Sequence, residues 1–305
     1  MSWKSLAAKY RLIAPAGAME QVGTGALVRD WTFRPSSPDL RTLWRRWLAR
    51  RHRAAMPAWE TIRPVAPRPR WIVYFIYLTD GGLSDAHRFT LARLRADGAG
   101  LAVVCATPRR DMVPAELLHG VDALYWKALP GFDFSAYALA LGEVARHSPG
   151  ADVLVLNDSV FGPFVPVAQL WSAMRWDLTG LTASGQVENH IQSYAFMLRD
   201  WNAAKLSALR SIFPQDHAFD DYRHVVAVQE TRFARTAART MSVGALWYGE
   251  VHRCADPTIF AAQALVATGF PFVKRGLMSK HVRFVDRDAI LALLRAMDHP
   301  VARTL

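Results

Sequence analysis

A carboxylate on the apolar face of a helix is costly unless it has a partner or a task. Glu230 is such a residue: with Phe233, Ala234, Ala237, Ala238 and Met241 it recurs at spacings of three and four. That pattern predicts a helix opening at Glu230, ending near Gly244, with Glu230 facing inward. No Lys or Arg stands three or four residues after it to form a local ion pair. Removing a proton from a hydroxyl is chemistry such a group can do. The alternative is a first-turn carboxylate held by the helix dipole and turned to solvent.

A second cluster is Asn157, Asp158 and Ser159, directly after the apolar run VLVL at 153–156. Oxygens at a strand end suit a diphosphate held through a divalent cation, Mg or Mn, with Asp158 as its ligand. Asp158 as a simple turn cap is the other reading. Lys274 and Arg275, with Lys280, follow Phe270-Pro271-Phe272 and are either cations for a departing diphosphate or ordinary surface charges. Asp80 and Gly81 in the tract TDGG let backbone approach a nucleotide, or form a plain turn, since the tract is not GxGxxG. His190, Gln192, Ser193 and Tyr194 give one strand several polar groups. They either face an acceptor rich in hydroxyls or line a half-exposed strand, and a lone histidine is more often structural.

The elements that must position these groups alternate from residue 71 onward. Apolar runs at 71–78 (WIVYFIYL), 101–106 (LAVVCA), 122–126 and 153–156 predict buried parallel strands. Helices are expected from a Ser84 cap to near Gly98 and over 133–147, and further strands at 176–182 and 190–198. The repetition predicts an α/β, Rossmann-like, mostly parallel sheet flanked by helices. Cys105 lies in an apolar run and Cys254 completes no metal pattern, which fits a reducing compartment.

Charge divides the chain. Residues 1–70 hold 14 Lys and Arg against 4 Asp and Glu, while the remainder holds 23 against 22. We therefore separate a basic N-terminal extension, 1–70, ending in the Pro-rich linker PVAPRP, from a main domain, 71–305. Within the extension Ser37 is expected to cap a helix with Pro38 at its first position. Leu40, Leu43, Trp44, Trp47 and Leu48 fall on one face, and arginines fill the rest. Residues 37–53 would lie on an anionic membrane surface or dock their apolar face on the main domain. No nucleic-acid module accompanies the charge. Long apolar spans are missing, and Lys4, Lys9 and Arg11 interrupt any secretory core, so a cytoplasmic protein, soluble or peripheral on the inner membrane face, is expected.

Taken together, 154–163 (LVLNDSVFGP), 176–182 (WDLTGLT), 190–196 (HIQSYAF), Glu230 and 270–275 (FPFVKR) resemble the rhamnan synthesis protein F family of bacterial polysaccharide and lipopolysaccharide glycosyltransferases. The resemblance implies a GT-A-like fold and transfer of a deoxysugar such as rhamnose, with inversion, to a lipid-linked or growing glycan. It implies a nucleotide-sugar donor, typically dTDP-rhamnose. Asp158 would stand where related folds keep a metal-binding aspartate, although Asn157 replaces the first aspartate of DxD. Glu230 would be the acidic residue that begins the acceptor-side helix. The competing expectation is a non-catalytic component of a polysaccharide assembly complex that binds glycan or nucleotide.

Overall fold

The structure is a computed structural model that describes residues 24–250 and 256–301 of the 305-residue chain. Lys4, Lys9, Arg11 and Cys254 lie outside the described residues. Nine strands of five or more residues build the sheet: β1 (Leu27–Thr32), β2 (Trp59–Arg63), β3 (Arg70–Tyr77), β4 (Gly100–Ala106), β5 (Ala123–Lys127), β6 (Ala151–Asn157), β7 (Leu178–Ser184), β8 (Ala195–Trp201) and β9 (Val243–Gly249). They lie in the order β1-β9-β7-β8-β6-β3-β4-β5-β2, and the two-residue strand His190–Ile191 adds to β7. The pairs β6–β3, β3–β4, β4–β5 and β9–β7 are parallel. β8 runs against both of its neighbours, and β1 and β2 close the two edges antiparallel.

Helices cover both faces, and the alternation along β3 shows why. Trp71, Val73 and Phe75 join one apolar cluster, while Ile72, Tyr74 and Ile76 join the other. A strand buried on both sides has no reason to alternate polar with apolar, hence the continuous run in the sequence. On the first face lie α3 (Phe132–His147), Phe213 and Phe233; on the second lie α2 (Asp85–Arg95), Trp171 and Leu265. α3 is apolar nearly all round because its whole middle, 134–145, is buried. Cys105 is fully buried in β4, and burial pushes its thiol up to about 12, so it is inert.

Several expectations shift. The α/β class and the helix-flanked arrangement hold. The segment read as an extension supplies β1 and β2, the strands at both edges of the sheet. α1 (Leu40–Ala49) begins two residues later than expected, because the Asp39 carboxylate accepts the Thr42 N–H at 2.7 Å and serves as the cap in place of Ser37. The strand expected over 190–198 is broken into His190–Ile191 and β8, with Gln192, Ser193 and Tyr194 in the gap. Glu230 does not open its helix. A helix runs continuously through Tyr222–His224, the π-helical turn Val225–Glu230 and α4 (Thr231–Ala237). Apolar spacing alone found the later turns and could not see the start, because Asp221, the N-cap, lies outside the apolar register.

Candidate active site

The strands β3, β5 and β6 end along one margin of the sheet, and β8, running the other way, begins there. In such sheets this margin is where loops can hold a ligand. The Asp158 side chain is fixed at its centre. Its Oδ2 accepts the Tyr77 N–H at 3.0 Å and faces His87 Nε2 at 3.3 Å and Arg275 Nη1 at 3.8 Å. Arg275 Nη1 also donates to the Asp158 carbonyl at 2.9 Å. His87 Nδ1 accepts the Ser84 N–H at 3.2 Å, and its Nε2 lies between the Asp158 carboxylate at 3.3 Å and Arg275 Nη1 at 3.0 Å. Arg275 is positioned by a short antiparallel pairing of Val273–Lys274 with Val160–Phe161. The neighbouring Lys274 holds its ammonium 4.8 Å from the Tyr194 ring centre.

Asn157 links this group to a second one. Its Oδ1 accepts from both the N–H and the hydroxyl of Ser159, at 3.1 and 2.6 Å, and its Nδ2 donates to Asp133 Oδ2 at 3.0 Å. Asp133 stands in the first turn of α3, just after Gly131, whose backbone has φ +89° and whose N–H is held by Asp220 at 2.8 Å. Burial, and then the nearby charge of Glu230, raise the Asp133 carboxyl to about 6.

Glu230 sits at the end of the π-helical turn, half-buried. Its Oε1 accepts the Ser193 N–H at 3.2 Å and the Ser193 hydroxyl at 3.0 Å. Oε2 carries no hydrogen bond among the described residues. Ser193 is held in turn by the Tyr137 hydroxyl, which donates to its carbonyl at 3.1 Å. That phenol is kept well above its ordinary value by burial first, then by Asp133, with Glu230 and Asp158 contributing. The Tyr137 hydroxyl thus stands near both groups, bonded to the Ser193 turn that holds Glu230 and within the electrostatic reach of Asp133 and Asp158.

The remaining expected residues are placed differently. Gln192 and Tyr194 are buried; the Gln192 Oε1 accepts the Thr182 hydroxyl at 2.6 Å and the Tyr194 hydroxyl lies 2.7 Å from it, which braces the Ser193 turn. His190 is buried, its Nδ1 donating to the Glu188 carbonyl at 2.8 Å. Burial holds its imidazole below the ordinary value against the pull of Glu230 and Asp256. Asp80 and Gly81 occupy the turn after β3. Asp80 Oδ1 takes the Gly82 N–H at 3.0 Å, and Gly81 has φ +76° where a Cβ would lie 2.7 Å from the Met112 carbonyl oxygen. Their contacts are those of a tight turn.

A resident cation does not fit this arrangement. Asp158 is met by an amide, an imidazole and a guanidinium, and the Asn157 oxygen is taken by Ser159. Among the described residues no three His, Cys, Asp or Glu side chains come together as a metal-ligand set. Hard cations require several such oxygens turned toward one point.

Sequence reasoning missed Asp133 and His87. The signal that found Asp158, a carboxylate immediately beyond a parallel strand, did not reach Asp133, which a loop separates from the end of β5 and which the sequence had marked only as the start of a helix. His87 gave no comparable signal, because the contact with Asp158 spans 71 positions.

Solved structures that are similar include the inositol-1-phosphate CTP transferase from T. maritima (13% identity, TM-score 0.36, covering 60% of this chain and 90% of that one). S. aureus TarS 1-349 in complex with UDP-GlcNAc is similar at 11% identity and TM-score 0.35, over 59% of this chain and 58% of that one. HddC from Yersinia pseudotuberculosis follows at 10% identity and TM-score 0.35, over 58% and 89%. At these scores the likeness carries no functional argument. No curated protein matches the chain. The model of one family, rhamnan synthesis protein F, does match, over residues 101–302. That span is well over half of the chain and holds Asp133, Asn157, Asp158, Ser193, Glu230 and Arg275 together, so this protein belongs to the rhamnan synthesis protein F family.

Proposed function

We propose that this protein is a glycosyltransferase that moves a deoxysugar, rhamnose, from a nucleoside-diphosphate donor such as dTDP-rhamnose to a hydroxyl of a growing or lipid-linked cell-surface glycan. The observation that carries this reading is the state of Glu230. One of its oxygens is anchored by Ser193, and among the described residues the other is unbonded and no cation is paired to it. That is what a general base requires. Membership in a rhamnan synthesis family supports the choice of sugar.

Chemically the reaction is one displacement. Glu230 takes the proton of the acceptor hydroxyl as its oxygen forms a bond to the anomeric carbon. The bond from that carbon to the diphosphate oxygen breaks, and its electron pair leaves with the nucleoside diphosphate. Attack opposite to the leaving group inverts the anomeric centre. Lys274 and Arg275 supply positive charge on the leaving-group side, and Asp158 with His87 fixes where Arg275 points. No step is assigned to a metal.

Release of dTDP from dTDP-rhamnose in the presence of a rhamnose-terminated oligosaccharide tests the proposal. Glu230→Gln should lower the transfer rate by roughly 10²–10⁴-fold while leaving donor affinity within about two-fold. Turnover equal to the parent would sink the assignment of Glu230. Donor binding without any release by the parent protein would instead favour a non-catalytic binding component.

A further inference from the structure

Helix α1 is docked with its apolar face outward. Leu40 is 84% exposed, Trp44 59%, Leu43 47% and Trp47 44%. The face turned to the protein carries Arg46, which is 6% exposed, and Ala49. This inverts the usual arrangement, in which the apolar stripe covers the core and the charges meet water. The cause is a buried ionic anchor. The Arg46 guanidinium pairs with the buried Glu188, and it donates to the Ala227 carbonyl and the Thr231 hydroxyl, each at 2.9 Å. With that group fixed inside, the leucines and tryptophans have nowhere to go but out.

The outward stripe is organised. Trp44 and Trp47 stack with ring centres 4.9 Å apart, and the Arg51 guanidinium lies 3.8 Å over Trp47. Arg41, Arg45, Arg50, Arg51 and Arg53 are all exposed along the helix and just beyond it. An apolar strip rich in tryptophan and bordered by arginines matches the boundary of an anionic bilayer, with acyl chains for the strip and headgroup phosphates for the cations. Among the described residues no helix is long and apolar enough to cross a membrane, so contact would be at the surface.

We infer that α1 is a membrane-docking element that seats the protein on an anionic lipid surface through Leu40, Leu43, Trp44 and Trp47. The element is tied to the candidate active site, because Arg46 bonds the same continuous helix that carries Glu230. The inference does not depend on the transfer reaction, and its test reads binding alone.

The test is co-sedimentation of the full chain with vesicles of phosphatidylcholine containing about 30% phosphatidylglycerol, beside vesicles of phosphatidylcholine only. The chain should pellet with the anionic vesicles, the tryptophan emission should shift to the blue, and binding should weaken in high salt. Trp44→Gln with Trp47→Gln should reduce partitioning roughly ten-fold or more at unchanged Tm, since both rings are exposed. Failure of the full chain to bind anionic vesicles, or binding that survives the double substitution, would overturn the inference.

Discussion

Two glutamates stand beside the helix over 222–237, and their surroundings divide structure from chemistry. Glu188 is 2% exposed and faces two guanidiniums, Arg46 on Oε1 and Arg235 on Oε2. Burial and neighbouring cations lower Arg46 only to about 10, so it stays charged at neutral pH. Among the described residues Glu230 forms no ion pair. A serine anchors one oxygen, and the carboxylate of Asp133 lies within its electrostatic reach. A buried carboxylate with two fixed counter-charges is spent. One held on a single oxygen by neutral donors leaves its other oxygen open to a substrate hydroxyl. The residue type is the same, but Glu188 is buried between two guanidiniums while Glu230 is half-buried on a serine, and partners and exposure together separate the roles.

The sharpest way to break this comparison is to exchange the expected phenotypes. Glu188→Gln would leave Arg46 and Arg235 facing each other without their counter-charge, and Arg46→Met would remove half of the pair from Glu188. Breaking a buried pair costs about 3–5 kcal/mol, which for a chain of this size lowers Tm by roughly 10 °C. Glu230→Gln should shift Tm far less, because Ser193 can still bond the amide oxygen. Thermal unfolding of the three variants checks the point. Equal losses would show that Glu230 is as structural as Glu188.

A second, smaller effect concerns Asp133. Its carboxyl is raised to about 6 by burial and by Glu230, above the unfolded value near 3.9. Ionising it in the folded protein therefore costs stability as pH rises from about 4 to about 6, and the cost persists above that window. Asp133→Asn should raise Tm at pH 8 and leave it unchanged at pH 4. For the reaction the sign is opposite. The charge that appears on Asp133 above about pH 6 favours proton uptake by Glu230. The rate should accordingly rise through pH 6 in the parent, and the variant should lose that inflection along with roughly ten-fold in kcat. A variant that keeps the inflection would remove Asp133 from the proton-transfer step.

How much of this was legible beforehand follows from the range of each interaction. The strands β3, β4 and β6 were readable because burial on both faces leaves a continuous apolar run. β1 and β2 were not, since edge strands half exposed to solvent carry mixed residues such as LVRDWT and WETIR. Asp158 and Glu230 stood out locally, one by its strand end and one by its helix register. What they bond to did not: Ser193 is 37 positions from Glu230, His87 is 71 from Asp158 and Arg275 is 117 beyond it. The amphipathic helix was visible, but which face it would bury was decided by Glu188, far along the chain.

The smallest expected effect is that of a chelator, and it extends the comparison to the third carboxylate. Asp158 resembles Glu188 more than Glu230, because protein groups already meet it: the Tyr77 amide, the His87 imidazole and the Arg275 guanidinium. A cation bound there would have to displace or repel the arginine, and Asn157 cannot help while Ser159 holds its oxygen at 2.6 Å. The positive charge facing a diphosphate should then come from Lys274 and Arg275, as in sites where protein cations take the place of a metal. EDTA should change the transfer rate by less than about two-fold, and Arg275→Gln should weaken donor binding more than chelation does. Loss of activity on chelation with recovery on adding Mn would mean that donor binding rebuilds the contacts of Asp158, and would set this carboxylate beside Glu230 as a group whose partners change during the reaction.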